Sequence, residues 1–148
     1  MSDFAAYLAL FLAAFVAATL FPAQSEAVLV GMLASDRYSV VALVVVASVG
    51  NTLGSVVNYW LGRWVETFSD RKWFPVRAAA LEKAKDWYRH YGRWSLLLAW
   101  APFIGDPITV AAGVLRERFS IFLVLVAISK TCRYIALTIL TLGWFGTA

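Results

Sequence analysis

The chain has 148 residues, of which 61% are hydrophobic, 16% aromatic and only 15% charged, with a net charge of +4. A soluble domain averages about 45–50% apolar and about 25% charged residues, so this composition suits neither a small domain in water nor a disordered chain. One cysteine, Cys132, and one histidine, His90, exclude an internal disulfide and a Cys/His zinc site, so no metal is expected. What remains is one small all-α membrane domain over 1–148.

Four apolar blocks follow in chain order. The first, 4–34, is broken by Pro22-Ala23-Gln24-Ser25-Glu26 and closed by Ser35-Asp36-Arg37-Tyr38. Met1-Ser2-Asp3 lacks a basic n-region, and the run from Phe4 to Phe21 exceeds a typical signal h-region of about 7–15 residues, so it reads as a membrane element. The second block, 39–62, carries no charge and suffices to cross a hydrocarbon core of about 30 Å as one helix. Gly50, Gly54, Asn58 and Gly62 recur along it every fourth residue, a spacing that favours close helix packing. This face, read as exposed, makes a homo-oligomer one expected partner.

The segment 63–93 holds eight basic residues against four acids. Apolar runs of membrane length flank it, so it reads as a cytoplasmic positive-inside segment rather than a nucleic-acid surface. Leu81, Ala84, Tyr88 and Tyr91 recur within it at helical spacing, between Pro75 and Gly92. That pattern predicts an amphipathic helix lying on the membrane interface or, alternatively, a solvated connecting helix.

The third block, 94–115, is broken by Pro102-Phe103-Ile104-Gly105-Asp106-Pro107, and the fourth, 119–145, carries Lys130 and Arg133. Trp60, Trp64, Trp94 and Trp144 fall near block ends, where interfacial aromatics belong. In both broken blocks a proline, Pro22 or Pro102, precedes an acid by four residues, Glu26 or Asp106. Matching breaks in two halves point to inverted repeats, each a re-entrant helical hairpin followed by a transmembrane helix. Charge supports that topology over four spanning blocks. It places the 63–93 segment with Arg116 and Arg118 on one membrane face and Arg37 alone on the other.

Glu26, Asp106, Lys130 and Arg133 lie within apolar blocks and sum to zero charge. Each would cost about 2.5–3.5 kcal/mol at a helix centre if isolated, so pairing or water contact is required. One reading is an internal salt-bridge cluster that docks the hairpins. The other is a polar site on a substrate or proton pathway, with Lys130 and Arg133 one helix face apart by three residues. Two cations suit a phosphate, helix starts after Glu26 and Asp106 add positive dipole ends, and the acids serve as switchable counter-ions. Hairpin breaks are assigned to Pro22, Pro102, Gly105 and Pro107, and helix packing to Gly50, Gly54, Asn58 and Gly62. No Gly-rich phosphate loop or Gly-x-Ser-x-Gly occurs, and Cys132 reads as a buried packing residue, so neither enzyme nor cofactor is expected.

These motifs resemble the DedA family, also described as the VTT or SNARE-associated domain, and in particular its short YqaA-like branch. Phe21-Pro22-Ala23-Gln24-Ser25-Glu26 is similar to the family's Pro-rich segment ending in Ser-Glu. Gly50, Gly54, Tyr59, Gly62 and Arg63 match its glycine/tyrosine motif, and Pro102, Ala112-Gly113 and Phe119 its second hairpin. Gly105-Asp106 and Lys130-x-x-Arg133-Tyr134 resemble features of the short branch. The resemblance implies a multi-pass inner-membrane protein with two re-entrant hairpins, associated with movement of lipids such as undecaprenyl phosphate or phospholipids. Longer members carry a further glutamate where Ala18 stands here, and arginines where Ala99 and Gly105 stand. Membrane lipids are thus the expected partners, with a phosphate-bearing lipid as substrate. A proton-coupled transporter of a small ion or solute, and a non-transporting assembly factor, are the alternative readings.

Overall fold

The computed structural model describes residues 2–18, 24–64, 78–101 and 104–146. Among them the chain is helical, with no strand: α1 (Asp3–Ala17), α2 (Gln24–Ala34), α3 (Val40–Arg63), α4 (Ala78–Tyr91), a 3₁₀ helix (Gly92–Trp100), α5 (Gly105–Val114) and α6 (Phe119–Gly146). Ser2 caps α1 by accepting from the Ala5 N–H at 3.3 Å, and Ser39 caps α3 by accepting from the Ala42 N–H at 3.4 Å. Pro22 and Pro102, and positions 65–77 of the basic segment with Pro75, lie outside the described residues.

Among the described residues, α3 and α6 are the two helices long and apolar enough to cross a membrane. Their exposure pattern is inverted relative to a soluble helix. On α3, Val41, Val45, Val49, Leu53 and Val57 are exposed while Ser48, Asn51, Thr52, Ser55 and Asn58 are buried. On α6, Val124, Ile128, Ile135, Ile139 and Leu142 are exposed while Ser129, Lys130, Thr138 and Thr141 are buried. An outward β-branched and leucine face with an inward polar stripe is stable where the surrounding solvent is hydrocarbon. The remaining helices are short: 15 and 11 residues in α1 and α2, 9 in the 3₁₀ helix and 10 in α5. At about 1.5–2.0 Å per residue, none of these alone reaches across a core of about 30 Å.

The chain forms two compact units, Met1–Gly54 with Lys130–Ala148 and Ser55–Ser129. In the first, α1 and α2 pack with the start of α3 and the end of α6 around Leu10, Ala14, Leu29, Leu33, Leu43, Ala47 and Tyr134. The glycines of α3 set the approach: a Cβ at Gly50 would stand 2.6 Å from the Phe11 carbonyl oxygen, and one at Gly54 2.5 Å from the Ala18 Cβ. This corrects the expectation of an exposed Gly-x-x-x-Gly face. α1 of the same chain covers it.

In the second unit, α4, the 3₁₀ helix and α5 pack with the end of α3 and the start of α6, around Tyr59, Leu81, Tyr88, Leu96, Ile108, Phe122 and Val126. A Cβ at Gly113 would overlap the Tyr59 carbonyl oxygen, and one at Gly62 the Val110 carbonyl oxygen, so α3 and α5 meet backbone to backbone. The stripe of α4 assigned to the bilayer interface instead packs inward, since Leu81, Ala84 and Tyr88 are buried and only Tyr91 stays exposed. A short helix pair leaves much apolar surface uncovered, and α4 supplies the cover. Gly92, at φ +67°, turns the chain from α4 into the 3₁₀ helix.

α5 ends in a Schellman motif, with the Glu117 N–H on the Ala112 carbonyl at 3.0 Å and the Arg116 N–H on the Gly113 carbonyl at 3.1 Å. Arg116, at φ 56°, takes the left-handed position that usually falls to glycine. Asp36, at φ 51°, holds the equivalent place after α2, with its N–H on the Leu33 carbonyl at 3.2 Å. In each unit, then, a pair of short helices is followed by a left-handed turn and a long helix.

Candidate functional site

Ser25 and Glu26 lie in the first turn of α2, and Arg133 and Tyr134 are adjacent on α6. The two pairs meet side by side. The Arg133 guanidinium donates to Glu26 Oε1 in an ion pair whose side chains are 17% and 34% exposed. Beside it the buried Ser25 and Tyr134 hydroxyls share a hydrogen bond of 2.9 Å. α3 closes the same cluster. Asn51 Nδ2 donates to the Ala14 carbonyl at 3.0 Å, and its side chain also reaches the Tyr134 hydroxyl. Lys130, one turn before Arg133 on α6, is 3% exposed.

Local chain chemistry explains the placement. Glu26 is the third residue of α2, where free backbone N–H groups and the positive end of the helix dipole favour a carboxylate. The guanidinium offers a planar fork that a carboxylate or a phosphate fills equally well. Here Glu26 fills that fork. Because the pair is only partly buried, its strength lies between a surface salt bridge of about 0–1 kcal/mol and a buried one, whose breakage costs about 3–5 kcal/mol.

Of the four ionisable residues within the apolar blocks, the structure brings Glu26 and Arg133 together and puts Lys130 on the adjoining turn. Asp106 belongs to the other unit, as the second residue of α5. Both acids thus fall inside the first helical turn, whereas the sequence pattern predicts helices starting after them. Gly105 and Pro107 are likewise buried in the first turn of α5 rather than in a break. Pro107 gives up no intrahelical bond there, because the first N–H groups of a helix have no partner. Gly105 lets α5 approach the 3₁₀ helix, since a Cβ would overlap the Ala99 carbonyl oxygen. Asn58 Nδ2 donates to the Thr109 hydroxyl at 3.3 Å, within the second unit. Cys132 is exposed, not buried. It sits on the apolar outer side of α6, where a small thiol is tolerated.

Sequence reasoning passed over the bond between the Ser25 and Tyr134 hydroxyls. Their only signal was adjacency: each hydroxyl neighbours a charged residue of the site. A second polar cluster lies in the other unit. There Tyr59 donates to the Glu117 carbonyl and Tyr88 to Glu117 Oε2, both at 2.5 Å. Burial, then the Glu117 carboxylate, pushes the Tyr88 hydroxyl above the ordinary tyrosine range, so it stays protonated and donating. Among the described residues no group of three or more His, Cys, Asp or Glu is placed to hold a metal ion.

The model of the VTT domain matches residues 21–142. The inner membrane protein YqaA of Escherichia coli (strain K12) is 36% identical over 143 residues, covering 95% of this chain and 94% of the relative. An uncharacterized protein of Haemophilus influenzae is 32% identical, covering 89% of this chain and 85% of its own. Undecaprenyl phosphate transporter A of Staphylococcus aureus is 28% identical over 108 residues, covering 68% of this chain and 53% of the relative. No solved structure matches the chain.

Proposed function

The chain belongs to the VTT-domain family, also called the DedA family, and we propose that it carries a phosphate-bearing lipid across the bacterial inner membrane. The observation that carries this reading is the Glu26–Arg133 pair beside buried Lys130, set among helices whose outer faces are apolar. The resident carboxylate marks the position an anionic headgroup takes. A polyprenyl phosphate or phospholipid keeps its tails in the hydrocarbon while its phosphate exchanges with Glu26 on the Arg133 fork, with Lys130 as the second cation. The likeness to an undecaprenyl phosphate transporter supports the polyprenyl class, and the likeness to an inner membrane protein supports the location.

Charge balance links this exchange to protons. Glu26, Lys130 and Arg133 sum to one positive charge, so a phosphate monoester of about two negative charges entering among them leaves an excess of negative charge. A proton taken up by the displaced Glu26 removes it. Low dielectric makes the unneutralised state costly, which favours coupled movement of lipid and proton. In this reading each short helix pair enters and leaves the bilayer on one face, and only α3 and α6 cross.

Reconstitution into liposomes with labelled polyprenyl phosphate or phospholipid tests the proposal. The wild type is expected to speed flipping. Glu26→Gln or Lys130→Met lowers the rate about tenfold or more, the kinetic equivalent of one charge-assisted hydrogen bond. Rates equal to protein-free vesicles would overturn the lipid reading, and an anion flux without lipid flipping would replace it with solute transport. Topology is read with single cysteines at Asp36 and Arg118 in a Cys132→Ser background. Impermeant reagents label them from opposite sides if both pairs are re-entrant, and from the same side if all four blocks span.

A further inference from the structure

Within the second unit a cavity of about 270 Å³ opens between α4, the 3₁₀ helix and α5, lined by Lys83, Ala84, Trp87, Leu98, Ile104 and Ile108 among others. Its wall is apolar except for Lys83. The volume exceeds an apolar cavity of about 150 Å³ that holds benzene, yet falls below the usual range of about 300–1,000 Å³ for whole small-molecule ligands. That size suits one segment of an aliphatic chain rather than a complete metabolite.

Charge at the rim selects the headgroup. On α4, Lys85 pairs with Glu82 at 2.7 Å and Arg89 with Asp86 at 3.5 Å, while Lys83 has no ion-pair partner among the described residues. Lys83 lines the cavity and is exposed, as suits a side chain with an apolar stem and a solvated ammonium. Trp87, 43% exposed on the same wall, has the amphipathic ring that membrane–water boundaries favour. Three small residues, Ala78, Ala79 and Ala80, open α4. Ala80 lines the cavity and is exposed, so a larger side chain there would take up space at its opening.

We infer that this cavity is a docking site for one chain of an anionic phospholipid, with Lys83 holding its phosphate. An anionic leaflet supplies that lipid at high local concentration, and a near-surface lysine attracts it. The site uses none of Glu26, Lys130 or Arg133, so it stands or falls apart from the transport reading. Its role is to anchor α4, and with it the second unit, at the lipid headgroups.

Native mass spectrometry of the full chain, released from vesicles of mixed phosphatidylglycerol and phosphatidylethanolamine, tests this. Wild type is expected to retain one phosphatidylglycerol that Ala80→Trp, which fills the mouth, does not. Lys83→Gln keeps a bound lipid but loses the preference for the anionic headgroup about fivefold, the factor set by about 1 kcal/mol per near-surface lysine. Both positions are exposed, so both variants are expected to fold. In thermal unfolding, phosphatidylglycerol raises the melting temperature of wild type and not of Ala80→Trp. Unchanged retention and headgroup preference in both variants would overturn the site, as would recovery of a bound polypeptide in place of lipid.

Discussion

The two units solve one problem with different chemistry. Each must hold a pair of short helices against two long ones. The second unit does so with apolar cover and hydroxyl clamps: α4 lies over the helix pair, and Tyr59 and Tyr88 pin the turn at Glu117. Tyr59, Phe119 and Phe122 stack beside that turn, with ring centroids 4.7–5.6 Å apart for the Tyr59 pairs. The first unit has no equivalent of α4 among the described residues. Its helix pair is held by the Glu26–Arg133 pair and the Ser25–Tyr134 bond. A clamp of hydroxyls on an immobile turn stabilises one arrangement. A carboxylate on an arginine is exchangeable, because any stronger anion competes for the same fork. Function is therefore expected in the first unit and rigidity in the second.

The comparison breaks most sharply at the glycines both units share. Gly113→Ala in the second unit and Gly54→Ala in the first each place a methyl against backbone. Both are expected to destabilise the fold by about 3 kcal/mol, the upper end for overpacking. Gly31→Ala and Gly143→Ala, where an added Cβ meets nothing within 4 Å, are neutral or gain up to about 1 kcal/mol. Thermal unfolding in detergent measures all four. Tolerance at Gly113 with loss at Gly143 would refute the packing described.

Smaller effects separate site from scaffold. Tyr134→Phe and Ser25→Ala each remove one buried hydrogen bond and are expected to lower stability by about 1 kcal/mol. Flipping should fall as well, since the bond holds α2 in register beside Arg133. Tyr88→Phe should cost about 1.5–3 kcal/mol, as its partner is a carboxylate, and leave flipping unchanged. That advantage depends on pH with a definite sign. The folded tyrosine is held above its ordinary range, so above about pH 10 the unfolded state loses the proton first and unfolding is favoured. The difference between wild type and Tyr88→Phe therefore shrinks as pH rises past 10, and a difference that grows would contradict the clamp.

How much was legible in sequence follows the physics of each signal. The long helices coincide with the second and fourth apolar blocks, Val40–Arg63 with 39–62 and Phe119–Gly146 with 119–145, because a long, predominantly apolar run favours a helix. The charged residues stood out because burying charge is expensive, and that cost also marked Glu26 and Arg133 as needing partners. What stayed hidden was direction. Helical spacing showed that Leu81, Ala84 and Tyr88 share a face, but a protein core and a membrane surface demand the same spacing. Glycine spacing likewise showed close packing without saying whether α1 or a second copy fills the face. The nine-residue 3₁₀ helix carries no periodic signature of its own. Hydroxyl pairs such as Ser25–Tyr134 cost too little unpaired to announce themselves.

The most direct test compares flipping by three reconstituted proteins: wild type, Arg133→Gln and Tyr88→Phe, with labelled polyprenyl phosphate in the same vesicles. If the exchangeable pair of the first unit carries the headgroup, Arg133→Gln falls to the protein-free rate while Tyr88→Phe keeps the wild-type rate despite its lower melting temperature. Equal rates for Arg133→Gln and wild type, in a folded protein, would contradict the account.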